Sequence, residues 1–196
     1  MTDSTTSSKI SITINFVPPS TADSDPALVT RVTEIINAAY ATEADLFIEG
    51  YRRVDEEGVR QIIRAGELIV AYGENSLPVG CIRLSHVPKV SESDIDAYEL
   101  GYLSADPSMR GAGIGKVLVT FVEGHCRRKG MQEMQLALLV PLWFGEGGHP
   151  FKKRLHEWYL RLGYRVVRAE SLTKSYPALA AQLRGECEYK TYRKTL

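Results

Sequence analysis

Residues 99–130 read ELGYLSADPSMRGAGIGKVLVTFVEGHCRRKG, and the fold is decided here. Tyr98 to Ala105 has the Leu and Tyr content of a strand. Asp106-Pro107 stops it, because proline has no N–H to give a ladder. The loop Ser108 to Gly115 follows, its alternate glycines suited to tight turns and close backbone approach. Beyond it Val117, Leu118, Phe121, Val122 and Cys126 recur near the 3.6-residue period of a helix. Strand, glycine-rich loop and helix in succession bring free N–H groups to the positive end of a helix dipole. Such a place is an anion site, most naturally one for phosphate.

Spacing narrows the choice of phosphate loop. A G-x-x-x-x-G-K-[ST] loop fails, since Lys116 is followed by Val117 and Arg110 stands where the first glycine belongs. A G-x-G-x-x-G dinucleotide loop fails too, since Gly111, Gly113 and Gly115 give G-x-G-x-G. Arg-x-x-Gly-x-Gly does fit, as Arg110, Gly113 and Gly115. With the preceding strand and Asp-Pro, this resembles the pyrophosphate loop of the GNAT superfamily of acetyl-CoA-dependent N-acetyltransferases.

Working outward, Lys9 to Val17 alternates Ile10, Ile12, Ile14 and Phe16 with polar residues, as a half-buried strand does. Asp25 before Pro26 reads as the cap of a helix running to about Ala41, with Leu28, Val32, Ile35, Ile36 and Ala39 inward. A looser section with Glu43, Asp45, Phe47, Glu49 and Tyr51 leads to a second helix, Val54 to Ala65. Glu67 to Tyr72 and Pro78 to Val87 form a hairpin about Gly73–Ser76, and residues 88–95 are polar loop. Met131 to Val140 is a strand parallel to the central one through a helical crossover. A glycine-rich stretch, Leu142 to Phe151, precedes a helix from Lys152 to Leu162 that Gly163 stops. Tyr164 to Ala169 is a strand, Ser175 to Leu183 a short helix, and Glu186 to Lys194 a final strand.

This element order predicts an α/β (α+β) fold with a mixed sheet flanked by helices, and it is also the order of the GNAT fold. The resemblance implies a largely antiparallel sheet of about seven strands, in one domain over residues 9–196 after a flexible tail, residues 1–8.

Composition sets the partners. Lys and Arg number 24 and Asp and Glu number 24, so bulk charge suggests neither nucleic acid nor a membrane. The polar start MTDSTTSS lacks the apolar run of a secretory signal, and Leu136 to Phe144 is too short to span a bilayer. Cys81, Cys126 and Cys187 show no metal spacing. They read as reduced thiols of a cytoplasmic protein with no metal.

The resemblance also implies a chemistry. Acetyl-CoA would donate its acetyl group to an amine, whose ammonium form, with a pKa of roughly 10.4 for an alkylamine, must first lose a proton. It assigns the pantetheine arm to the strand at Leu103, Ser104 and Ala105. The pyrophosphate falls to Gly111, Ala112, Gly113, Ile114, Gly115 and Lys116, with Arg110 adding a cation. Arg110 could instead pair with Asp106, and Lys116 could simply be solvated.

In many family members a glutamate at the start of this strand deprotonates the amine through water, and here that residue is Glu99. Its other reading is an exposed or ion-paired strand glutamate, and His86 and His149 are rival bases by their ordinary pKa. LHEWYLRLGYR resembles the family's later motif, in which Tyr159 ahead of Leu162-Gly163-Tyr164 would protonate the departing thiolate. Tyr159 could equally be a core aromatic. One departure stands out, for family members often carry Asn where this chain has Lys152. The insert with Trp143, Phe144 and His149 could shape a substrate lip.

Between the first two helices, acids and aromatics would suit a cationic amine, but a solvated, charged loop reads at least as well and no residue there is assigned a role. The expected function is acetylation of a small-molecule primary amine by direct attack in a ternary complex, with no acyl-enzyme. Acetylation of a protein or peptide amine, or a non-catalytic acyl-CoA-binding module, are the alternatives. By analogy with the family, the chain could form a homodimer.

Overall fold

The computed structural model describes residues 11–89 and 96–196. The tail 1–8, the first residues of the expected opening strand (Lys9 and Ile10) and most of the polar loop 88–95 lie outside them. Seven strands form one sheet: β1 (Thr13–Phe16), β2 (Leu68–Tyr72), β3 (Pro78–Val87), β4 (Ala97–Ala105), β5 (Glu133–Pro141), β6 (Arg165–Ser171) and β7 (Cys187–Thr195). Their spatial order is β1-β2-β3-β4-β5-β7-β6. Every neighbouring pair is antiparallel except β4–β5, which is parallel as expected.

The helices are α1 (Thr21–Ser24), α2 (Pro26–Tyr40), α3 (Glu56–Arg64), α4 (Ile114–Arg128), α5 (Pro150–Arg161), α6 (Leu172–Ser175) and α7 (Pro177–Ala180). Asp25 caps α2 by accepting from Leu28 N–H at 2.9 Å, and Asp55 caps α3 by accepting from Gly58 N–H at 2.8 Å. Each cap satisfies a donor that the first helical turn leaves open.

The period-2 alternation of β2 divides the core. Leu68 and Val70 meet Val32, Ile36, Val59 and Ile63 of α2 and α3. Ile69 and Ala71 face the other way, onto Ile114, Leu118 and Val122 of α4. Both faces of β2 are covered, so Leu68 to Ala71 are apolar and buried throughout.

Three expectations shift. The helix expected over Ser175–Leu183 is helical only at α7, Pro177–Ala180, with α6 ending at Ser175 just ahead of it. Pro177 has no N–H to continue a helix and restricts Tyr176, which sits at φ −141°, ψ 66°. The helix expected from Lys152 begins at Pro150, because the His149 imidazole accepts from Lys152 N–H at 3.3 Å and caps it. The short helix α1 has no counterpart in the sequence reading.

One irregularity shapes the molecule. Arg83 pairs with Gly101 and Cys81 with Ser104, so Ile82 alone stands against Tyr102 and Leu103. This is a β-bulge, and Tyr102 takes a left-handed φ of 48° that a tyrosine seldom adopts. The bulge reverses the alternation. Leu100 packs on the α4 side, Tyr102 on the α2 side, and Leu103 again on the α4 side.

Candidate active site

The parallel pairing of β4 with β5 covers only Tyr98–Leu100 against Met134–Leu136. Past these residues both strands continue without pairing to each other, β5 held by β7 alone. A cavity of about 460 Å³ occupies the gap. Gly101, Tyr102, Leu103 and Ala105 of β4 line it, facing Ala137, Leu138 and Leu139 of β5. Tyr40 at the end of α2 closes it with Glu43, Phe47 and Arg53, and Lys152, Leu155 and Tyr159 of α5 close it from below. The bulge at Tyr102 is thus what turns β4 away from β5 and opens the sheet.

The glycine loop ends beside this gap. Gly111 and Gly113 have φ of 84° and 79°, where a side chain would be strained. The first bond of α4 is Val117 N–H to Gly113 C=O at 3.1 Å. The N–H groups of Ile114, Gly115 and Lys116 therefore have no acceptor inside the helix. Asp106 anchors the loop: it accepts from Ser108 N–H at 2.8 Å and Ser108 Oγ at 2.6 Å, and pairs with Arg31 of α2. The Ser108 bonds, with Arg31, hold its carboxyl below the usual carboxylate range. Arg31 thus takes the role that Arg110 could have had, while Arg110 is exposed and lines the cavity.

Of the residues expected to act, Leu103, Ala105, Arg110 and Tyr159 line the cavity. Ser104 is 2% exposed on the opposite parity and is not among the lining residues. Gly111, Ala112, Gly113 and Lys116 are exposed on the loop, with Ile114 buried beneath and Gly115 against Trp158. Tyr159 is nearly buried, and burial pushes its phenol well above the ordinary tyrosine range, so it keeps its proton at neutral pH. Glu99 is half-buried and accepts from Gln135 Nε2 at 2.9 Å. It is not among the lining residues, but its charge acts on Tyr189, which is.

The rival bases are engaged elsewhere. His86 lies 2.8 Å from Asp96 at the surface. His149 is buried, caps α5 and meets Asp45 at 3.1 Å. Trp143, Phe144 and His149 are not among the lining residues; the insert reaches the cavity at Phe151.

Three lining features had no signal in the sequence. Glu43 and Lys152, 7% and 5% exposed at their side chains, form an ion pair at 2.6 Å. Burial pulls the Lys152 ammonium below the ordinary lysine range even with Glu43 beside it. The Arg53 guanidinium lies over the rings of Tyr40 at 4.8 Å and Tyr102 at 5.0 Å. Of the acids between α2 and α3, Glu43 is paired with Lys152 and Asp45 lies against His149, while Glu49 is exposed and does not line the cavity.

The sequence profile of the Acetyltransferase (GNAT) family matches residues 32–141, more than half of the chain. The chain belongs to the GNAT acetyltransferase family. The match runs from α2 through the glycine loop to the end of β5, the elements that build most of the cavity. Solved structures share the GNAT fold at low identity. The PaiA N-acetyltransferase of Thermoplasma acidophilum, solved with coenzyme A, is 16% identical, covering 95% of this chain and 99% of that one at a TM-score of 0.63. The Drosophila melanogaster polyamine N-acetyltransferase is 16% identical, covering 95% and 100% at 0.64. A chain of the NatC complex bound to Gag peptide and coenzyme A is 15% identical, covering 94% and 98% at 0.61. A search of curated proteins finds no match. Among the described residues of this GNAT acetyltransferase, no helix is long and apolar enough to cross a membrane.

Proposed function

We propose that this GNAT acetyltransferase moves the acetyl group of acetyl-CoA to the primary amine of a small molecule, by direct attack in a ternary complex. The observation that carries the reading is the gap between β4 and β5, with the open N–H groups of α4 at one side and Tyr159 inside. Pyrophosphate would lie on residues 111–116 with Arg110 as counter-ion, and the arm would run along Leu103 and Ala105. The donor supplies an activated thioester. The amine nitrogen forms a bond to the acetyl carbon, and the bond from that carbon to sulfur breaks.

The ammonium proton must leave before attack, and Glu99 is the proposed acceptor through water. Its bond to Gln135 fixes the carboxylate near Tyr189, at the end of the cavity away from the glycine loop. The thiolate takes a proton from Tyr159, which then recovers one from solvent or from the amine's second proton. Free CoA thiol and the N-acetyl product result. Tyr159 carries its proton at neutral pH and so has one to share with the sulfur as charge develops, although its burial makes it a weaker acid than an ordinary phenol. Burial pushes the thiols of Cys81, Cys126 and Cys187 up to about 12, 11 and 11, which supports a route with no acyl-cysteine.

The test is thiol release from acetyl-CoA by the purified protein across amines, amino acids, polyamines and short peptides. Release that depends on one small amine class is expected. Release with peptides alone would shift the acceptor to a polypeptide, and failure to bind acetyl-CoA would overturn the reading.

A further inference from the structure

At the end of the cavity away from the glycine loop, the charges do not balance. Glu43 is the carboxylate among the lining residues, and Lys152 neutralises it at 2.6 Å. Arg53 is left over. Its Nε is buried with no hydrogen-bond partner, and no carboxylate of the described residues pairs with it. A buried donor left open is unfavourable, and more so when it is charged.

The neighbours of Arg53 do not discharge it. Tyr40 and Tyr102 lie under the guanidinium, with their own ring centroids 6.5 Å apart, and Tyr51 approaches it while stacked on Phe47 at 3.9 Å. These rings shield the cation from water, which strengthens any ion pair it makes.

The position is also built. Asn37 Oδ1 of α2 accepts from Arg53 N–H at 2.9 Å and Val54 N–H at 3.3 Å, while its Nδ2 donates to Val54 C=O at 2.8 Å. Three bonds from one helix side chain thus clamp the backbone that carries the arginine. Solvation alone would need no such clamp.

We infer that Arg53 receives an oxyanion of the acceptor, so that the substrate is an amino acid or a close relative bearing both a primary amine and a carboxylate-like group. The inference rests on the N-acetyltransferase reading. Tyr189, in the cavity wall, feels both Arg53 and Glu99. Arg53 also lies over Tyr102, three residues along β4 from Glu99, so one group is suited to hold the anion and the other to take the amine's proton. A bidentate arginine–carboxylate pair would fix the acceptor's orientation as well as its affinity. A polyamine would bring only positive charge to a wall that already carries an unmatched arginine.

The experiment measures thiol release with the purified full chain and saturating acetyl-CoA. The acceptors are α-amino acids with small, apolar and acidic side chains, each beside its carboxamide, with putrescine, spermidine and short peptides added. At least one amino acid should exceed its carboxamide in kcat/KM by about 30-fold or more, the loss expected when a buried charge pair forfeits one member. The comparison is conservative, because the carboxamide's amine is less basic and more of it is unprotonated. In Arg53→Gln the gap should collapse, through the amino acid's KM and with the acetyl-CoA KM unchanged, and Arg53→Lys should restore part of it.

No gap in the wild type overturns the inference, as does a gap that survives in Arg53→Gln. So does acetylation of polyamines or peptides alone, which leaves the transferase reading intact, or acetyl-CoA binding with no acceptor of the panel used. Failure to bind acetyl-CoA would instead sink the parent reading. The acid–carboxamide comparison is made in the wild type and does not depend on a variant folding.

Discussion

Glu43→Gln should be among the most destabilising conservative changes in the molecule. The Glu43 and Lys152 side chains are 7% and 5% exposed and meet at 2.6 Å, joining the segment after α2 to the first turn of α5. Burial already pulls the Lys152 ammonium below the ordinary lysine range, the Glu43 charge pulls it back up, and Arg53 adds repulsion. Removing the carboxylate leaves a desolvated cation beside a second one. Breaking such a buried pair costs roughly 3–5 kcal/mol. At about 2–4 °C per kcal/mol for a chain of this size, the melting temperature should fall by roughly 6–20 °C.

A double-mutant cycle with Lys152→Met, followed by urea and thermal unfolding, isolates the pair. Glu43→Gln with Lys152→Met should be less destabilised than the sum of the single changes, because it leaves no orphaned charge. The pH dependence has a definite sign. A lysine whose folded pKa lies below its unfolded one binds more protons in the unfolded state between those two values. Stability therefore rises with pH through that window. In Glu43→Gln the folded pKa falls further, so from neutral pH upward the variant's deficit should shrink. A Glu43→Gln protein as stable as the wild type, or single losses that simply add in the double variant, would refute the reasoning.

Tyr159→Phe keeps the ring's packing and removes the proposed proton donor, so kcat should fall about 100-fold with little change in acetyl-CoA affinity. Equal losses in both, by steady-state kinetics and direct binding, would remove the acid role. Glu99→Gln should lower activity most at low pH, where more of the amine is protonated, and an unaltered pH–rate profile would remove the base role. Gly80→Ala would place a Cβ 2.6 Å from Ile114 Cγ2 and 2.9 Å from the Ser104 carbonyl oxygen. It should cost about 1–3 kcal/mol in urea unfolding and raise the acetyl-CoA KM by displacing the start of α4. An unchanged KM would show that the helix start is not part of the donor site.

The fold was legible wherever a local rule acted alone. Asp25-Pro26 announced α2 because the cap and the proline act within one turn, and the structure has both. Lys152–Leu162 was placed two residues late because the cap is a histidine, which few helices use at that position. The helix expected over Ser175–Leu183 is shorter because Pro177 can only start a helix, and Leu172–Ser175 ahead of it is too short to show a period. The bulge at Tyr102 had one signal, Gly101 in the strand interior, where a glycine often marks a bulge, but nothing local fixes its position or consequence. It follows from how β3 and β4 must pair once α2 and α4 occupy opposite faces.

The site divides along the same line. The residues named from the motif belong to one continuous stretch, and the loop geometry that would hold a phosphate is written in its glycines. Arg53 and the Glu43–Lys152 pair come from three segments that meet only when β4 and β5 part. In the sequence, Glu43 and Asp45 looked like an acidic wall. In the fold Glu43 is spent on Lys152 and Asp45 lies against His149, while Arg53, between two tyrosines, meets no carboxylate of the described residues. The charge an acceptor meets is therefore the remainder after internal pairing, and at this end of the cavity that remainder is a cation. Counting acids along the chain points to a cationic amine; counting unpaired charges in the cavity points to an amine that also carries an anion.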